Sequence, residues 1–395
     1  MAARVVIVAD DLTGAMDVAG PLADRGLPTL AVASHEGCKP ADLETGTVIS
    51  INADTRHLSA ADAARRTHRI ASELVDAGAQ ILIKKIDSTL RGNVVSETLA
   101  MLDATRRSAA VVAPAFPGQG RTVREGVVHV DGAPLSDTNF ARDALSSPPL
   151  QPLHLLFTRV AQGAAVQLLR PWQSPELIAD QRQILVFDAQ TDADLEQIVR
   201  NLQADLQRVL LVGSAGIAQA VGKVCFPANA PAAPLPGARG QLLVIVGSRA
   251  QQSAEQVRRL LQAGGAERLN APNGAIAIDA AAKAKAPILV VQATAAPGAG
   301  EADAVEVAAR LAEGAAILLA RGGIGALVAT GGDTAIAILQ RLGRSTLRVM
   351  GTLLPGIPYS RIQGPAGELV FVTKAGGFGA PDAFQMIASR LRGAG

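Results

Sequence analysis

The apolar run Val5 to Ala9 stops at Asp10-Asp11-Leu12-Thr13-Gly14, which puts paired carboxylates at the end of a strand and in front of a helix expected to begin near Ala15. The carboxyl end of a buried strand is where open α/β sheets place their ligands. One of the two Asp residues can instead cap the helix, and the other then still needs a role. A second run, Ile81 to Ile83, is followed by Lys84-Lys85-Ile86-Asp87-Ser88-Thr89-Leu90-Arg91-Gly92-Asn93, with three cations, one carboxylate and two hydroxyls. Cations and donors in this position suit a carboxylate or phosphate, while Asp87 can accept from hydroxyls or serve as a base. A polyhydroxy acid would use all of them. The alternative is a solvated strand end with surface ion pairs and a cap from Ser88 or Thr89. Asn52-Ala53-Asp54-Thr55-Arg56-His57 ends the run Val48 to Ile51 in the same manner, and the Arg56 fork matches both oxygens of a carboxylate. His57 receives no role.

In the second half, Gly331-Gly332-Asp333-Thr334 follows the run Ala326 to Ala329 and opens a helix expected to reach Leu342. Backbone amides at such a start can cradle phosphate oxygens, and Asp333 can hold Mg²⁺ or cap the helix. Lys374-Ala375-Gly376-Gly377-Phe378-Gly379 follows Leu369 to Val372 as another flexible, cationic loop. Standard nucleotide fingerprints are missing. There is no Gly-x-Gly-x-x-Gly, and Gly216 to Gly222-Lys223-Val224 is one residue too long for a P-loop, with Val where Ser or Thr should stand. A nicotinamide enzyme and an ordinary P-loop ATPase are both disfavoured.

The elements that must carry these loops follow from composition and pattern. In 395 residues, 49% are hydrophobic, only 3% are aromatic and 39 are Gly, which fits helices packed on parallel strands better than an aromatic-rich β sandwich. Further apolar runs at Ala110 to Ala113, Ile184 to Phe187, Val209 to Val212, Gln241 to Val246 and Pro287 to Val291 alternate with helical stretches such as Ala60 to Ala77 and Ala250 to Ala263. The expected fold is therefore α/β, with two domains, each a mainly parallel sheet flanked by helices, and an interdomain cleft. The stretch 227 to 240, with four prolines and no apolar period, is the linker candidate. Gly118 to Phe140 has little apolar periodicity and reads as a surface excursion or a loop lining the cleft.

The 37 basic and 35 acidic residues leave a formal charge of +2 without a basic block, so nucleic acid is not an expected partner. Cys38 and Cys225 are too few and too distant for a disulfide framework, which fits a reducing cytoplasm. No apolar stretch reaches the roughly 20 residues of a membrane span. A homo-oligomer is compatible with this length, although no interface stripe is readable.

Five ordered motifs together resemble the four-carbon acid sugar kinases, which phosphorylate tetronates such as D-threonate, D-erythronate or 3-oxo-tetronate. They are Ala9 to Gly14, Lys85 to Asn93, Pro114-Ala115-Phe116-Pro117-Gly118-Gln119-Gly120-Arg121, Gly331 to Thr334 and Lys374 to Gly379. The resemblance implies a substrate domain over 1–228 and an ATP domain over 238–395, with the γ-phosphoryl of ATP-Mg²⁺ passed to a C4 hydroxyl. By position it assigns substrate contacts to Asp11, Arg56, Lys84, Lys85, Ile86 and Asp87, beside which the residue chemistry adds Ser88 and Arg91. ATP contacts fall to Ser248, Gly331, Gly332, Asp333, Thr334, Gly376 and Gly377, with Lys374 added from its loop; Ser248 rests on the resemblance alone. Asp11 is the expected acceptor of the hydroxyl proton and Asp87 the second candidate. The Lys-Ile-Asp-Ser-Thr-Leu-Arg-Gly form looks more like the threonate and erythronate kinases than the 3-oxo-tetronate kinases. Arg249 and Ala250 depart from the small hydroxyl or Cys residues common after the Gly-Ser pair. The reading of another class is a sugar-acid sensor without turnover.

Overall fold

A strand covered by helices on both faces has no solvent side, so it reads as an unbroken apolar run rather than an alternation. Such runs dominate the computed structural model, which describes residues 5–34, 47–75, 79–142, 148–161, 163–226, 237–296 and 302–393. The chain divides into two compact units, residues 1–231 and 232–395. Of the proline-rich linker candidate, residues 227–236 lie outside the described residues, as does Cys38.

The strands of the first unit are β1 (Val5–Ala9), β2 (Thr29–Val32), β3 (Val48–Asn52), β4 (Ile81–Lys85), β5 (Ala109–Ala113), β6 (Arg121–Arg124), β7 (Val127–Val130), β8 (Ala133–Pro134), β9 (Ala165–Leu169), β10 (Gln183–Phe187) and β11 (Val209–Gly213). Eight of them form a parallel run in the order β2-β3-β1-β4-β11-β5-β10-β9. Every residue of β1, β3, β4, β5, β10 and β11 is buried. Helices Leu12–Ala23, Ala60–Val75, Val94–Thr105, Asp192–Asn201 and Ala215–Cys225 supply the crossovers that parallel neighbours require. The first of these starts at Leu12 rather than near Ala15, because Asp11 takes the cap position. The stretch Gly118 to Phe140, expected as a surface excursion or a loop, carries secondary structure of its own. Short β6, β7 and β8 pair antiparallel as a small separate sheet.

The second unit holds β12 (Gln241–Val246), β13 (Ala266–Pro272), β14 (Ile288–Thr294), β15 (Ile324–Thr330), β16 (Thr346–Leu354), β17 (Ile357–Gly364) and β18 (Gly367–Lys374), in the order β13-β14-β12-β15-β18-β17-β16. The first five of that order are parallel; β17 then pairs antiparallel with both β18 and β16. Thus the α/β expectation holds in both units. No described helix is long and apolar enough to cross a membrane.

Candidate active site

In the first unit, Ala9 is in register with Asn52 of β3 and with Lys85 of β4, so three parallel strands end level and the loops beyond them meet. Asp11 leaves β1 in an extended conformation and caps helix Leu12–Ala23, its Oδ1 accepting from the Gly14 amide at 2.7 Å. Its other oxygen accepts from Thr13 Oγ1 at 2.5 Å and from Arg56 Nη1 at 2.7 Å. Capping and ion pairing are therefore simultaneous. Arg56 Nε also binds Asp10 Oδ2 at 2.7 Å, and Nη2 lies 3.9 Å from Asp87. The fork expected to await a substrate carboxylate is instead committed to the protein's own carboxylates.

Asp87 is gripped bidentately by Arg91, Nε to Oδ2 at 2.9 Å and Nη2 to Oδ1 at 3.1 Å, and it also accepts from the hydroxyl and amide of Thr89. Burial alone would raise the Asp87 carboxyl, but Arg91 and Arg56 outweigh it and hold the group well below its ordinary range. Burial likewise works against ionised Asp10, and Arg56, Lys84 and Lys85 reverse the sign, leaving it lowered. Arg56 is the mirror case: burial opposes its charge, yet Asp10, Asp11 and Asp87 raise it well above normal. The cluster is a set of fixed charges, and an Asp87 so stabilised as an anion makes a weak base.

Lys84 and Lys85 point to different places, as successive residues of a strand must. Lys84 is fully buried and pairs with Glu97 at 2.9 Å, so the expected clamp on a substrate carboxylate does not include it. Glu97, on helix Val94–Thr105, also accepts from Thr55 Oγ1 at 2.9 Å and Thr67 Oγ1 at 3.2 Å. No local pattern marked Glu97, thirteen residues beyond its partner. Lys85 remains at the site, its Nζ donating to the Ile86 carbonyl at 2.9 Å, while the Ile86 side chain is buried and its amide donates to Gly213. Beside these, Ser88 Oγ and Asp10 Oδ1 are buried without a hydrogen-bond partner. Buried polar atoms normally find partners, so orphans at a strand end are openings for a polar ligand. The small antiparallel sheet adds one cation: Arg121 stacks on Phe140 at 5.4 Å and feels the charges of Asp87 and Arg91.

In the second unit, Val246, Thr330 and Lys374 are in register, so the loops after β12, β15 and β18 are neighbours. Gly331 caps helix Gly332–Arg341 with φ of 101°, a conformation that favours glycine. The first-turn amides at Gly332, Asp333 and Thr334 are left without an earlier turn to accept them. The glycine loop after β18 is held from behind by helix Gln251–Gln262. Gln256 Nε2 donates to the carbonyls of Phe378, Gly379 and Ala380 at 2.9 to 3.1 Å, and Ser253 Oγ donates to that of Gly376 at 2.9 Å. A Cβ on Gly376 would stand 2.0 Å from Ser248 Oγ, which shows how closely the loops after β12 and β18 approach. Gly377 is half-exposed on the same loop. Lys374 is the exception among the expected residues. Its ammonium is fully buried, donates to the carbonyls of Ala375 and Gly376 and lies over Phe384, and burial pushes it down to about 7. It braces the loop rather than projecting from it.

Comparison with known proteins gives each unit a counterpart. Residues 5–221 match a model described as a sugar-binding N-terminal domain, and residues 243–384 one described as a nucleotide-binding C-terminal domain. A D-threonate kinase of Bordetella bronchiseptica is 36% identical, over 98% of this chain and 97% of its own. A D-erythronate kinase of Heliobacterium modesticaldum is 29% identical, over 96% and 95%. A Salmonella typhimurium LT2 structure described as a putative tRNA synthase superposes with a TM-score of 0.74 over 97% of this chain and 98% of that one; at 22% identity it shows the fold alone.

Proposed function

The chain belongs to the four-carbon acid sugar kinase family, and from that premise we propose that it transfers the γ-phosphoryl of ATP to the C4 hydroxyl of D-threonate or D-erythronate. The observation that carries this reading is the pair of buried atoms without a hydrogen-bond partner, Ser88 Oγ and Asp10 Oδ1, next to Lys85, whose ammonium donates to one carbonyl and pairs with no carboxylate. Lys85 takes the acid's carboxylate, while Ser88 and the free Asp10 oxygen meet hydroxyls. Asp11 accepts the C4 hydroxyl proton as the oxygen–phosphorus bond forms, and the bond to the departing ADP oxygen breaks. In phosphoryl transfer, positioning and charge neutralisation do most of the work. On the second unit the amides of Gly332 to Thr334 cradle phosphate oxygens, with Ser248, Gly376 and Gly377 beside them.

Mg²⁺ neutralises phosphate charge when it accompanies ATP. No three His, Cys, Asp or Glu side chains converge as a cage among the described residues. Asp333, in the first turn of helix Gly332–Arg341, is the carboxylate that would hold such a cation beside the phosphates.

Gly376→Ala tests the nucleotide loop. Its methyl displaces Ser248, and loss of one charge-assisted hydrogen bond, roughly 1.5 to 3 kcal/mol, raises KM for ATP about 10- to 100-fold. Affinity for the acid stays unchanged. An unaltered KM for ATP would remove Ser248 from the phosphate site.

The overall reading is tested by ADP release across D- and L-threonate, D- and L-erythronate and 3-oxo-tetronates, with the product's phosphate located by NMR. Turnover of D-threonate or D-erythronate at C4 is expected. Turnover of a 3-oxo-tetronate instead would move the substrate to that branch of the family, and binding without turnover would make the protein a sensor.

A further inference from the structure

Helix Leu12–Ala23 carries a carboxyl that no step above uses. Asp17 is 5% exposed, its Oδ1 has no hydrogen-bond partner, and no cation pairs with it among the described residues. The other carboxylates of the buried cluster are matched: Asp10 and Asp11 with Arg56, Asp87 with Arg91, Glu97 with Lys84. Among the described cations of β4 and the loop after it, Lys84 pairs with Glu97 and Arg91 with Asp87, while Lys85 has no carboxylate partner, is 4% exposed and is bonded to a single carbonyl. The two remainders share a face. Gly14 lies one turn before Asp17, and a Cβ on it would stand 3.0 Å from Lys85 Nζ.

We propose that Asp17 is a positioning residue that shares the Lys85 ammonium with the bound acid, so that the acid and an ionised Asp17 compete for one cation. This rests on the reading of the site as one for a sugar acid. Burial first, and then the charges of Asp11 and Asp87 against that of Lys85, push the Asp17 carboxyl up to about 7. An anion arriving at Lys85 favours the protonated carboxyl. Binding therefore takes up protons near neutral pH, and affinity falls as pH rises through about 7.

The neighbouring elements offer few rivals for this titration. β4 brings Lys84, already paired, besides Lys85. β3 brings Ser50, whose hydroxyl donates to Ala15, and β1 brings no charge. On helix Ala215–Cys225, Lys223 and Cys225 flank Gly222, which packs on Pro21, Leu22 and Arg25 at the far end of the Asp17 helix. His57, beyond β3, is exposed.

The test is calorimetric titration of the full chain with D-threonate and D-erythronate, without ATP, between about pH 6 and about pH 8.5 in buffers of different ionisation heat. The wild type is expected to take up a fraction of a proton near pH 7 and to lose about tenfold in affinity across the range, one unit of pKa displacement being tenfold in binding. Asp17→Asn should bind with neither effect, and the exposed variant His57→Ala should keep both. Wild-type binding that is flat with pH overturns the inference alone, as does an uptake that survives in Asp17→Asn or vanishes in His57→Ala. Binding of neither acid at any pH overturns the sugar-acid reading and this inference together.

Discussion

Asp11→Asn lowers kcat by about 10²- to 10⁴-fold, the span a positioned general base contributes, and leaves the fold intact. The substitution separates the two roles that meet in this side chain. Asn is as good a cap as Asp, so the bond from the Gly14 amide survives. Arg56 keeps its hold on Asp10 through Nε. What disappears is the negative charge able to receive the C4 hydroxyl proton. Asp11 suits that task better than its neighbours, because Asp87 carries two Arg91 bonds and is pinned far below the ordinary carboxylate range. Steady-state kinetics with a melting curve decide the matter. Near wild-type turnover in a folded variant would reduce Asp11 to a cap.

Glu97→Ala destabilises the sugar-binding unit by about 3 to 5 kcal/mol, the usual cost of leaving one member of a buried ion pair without its partner. The Lys84 ammonium is left in the core among carbonyls of Val8 and Lys85. The hydroxyls of Thr55 and Thr67 lose their acceptor as well. For a unit of this size that corresponds to a fall of roughly 6 to 20 °C in its melting transition. Calorimetry of the full chain should show one transition moving and the nucleotide-binding unit's staying. Lys84→Met in the same chain should recover much of the loss, since an apolar side chain needs no partner. An unmoved transition in Glu97→Ala would mean that the pair contributes little to the fold.

The strands were readable because parallel strands buried on both faces must be apolar throughout, and Val5–Ala9 is its own announcement. The strand-end loops were readable because charge after such a run has few structural uses. What Arg56 faces was not readable, since the same fork suits a substrate's carboxylate and a neighbour's. Nor does the pair Lys84-Lys85 say which lysine turns inward; that depends on Glu97, brought near only by the packing of helix Val94–Thr105. Asp17 looked like any helical Asp, because burial is a property of the packed helix and not of the residue. The hairpin strand Thr346–Leu354 has its buried positions at every second residue, the alternation of a strand with one face covered. The small sheet of β6 to β8 had too few apolar residues for a period to show.

The place of β11 in the first sheet has a consequence for how the chain must be made. β4 and β5 follow one another along the sequence, yet β11 lies between them. A nascent chain therefore emerges with the two inner edges of its sheet open until residues beyond 209 leave the ribosome. Pairing β4 directly with β5 would be the quickest wrong answer, and it would leave no slot for the strand whose Gly213 is in register with Lys85. Contacts that join distant segments form slowly and keep unpaired edges exposed meanwhile. The strand ends of the proposed site are thus completed late in synthesis, and premature termination before β11 yields a sheet missing its middle rather than its margin.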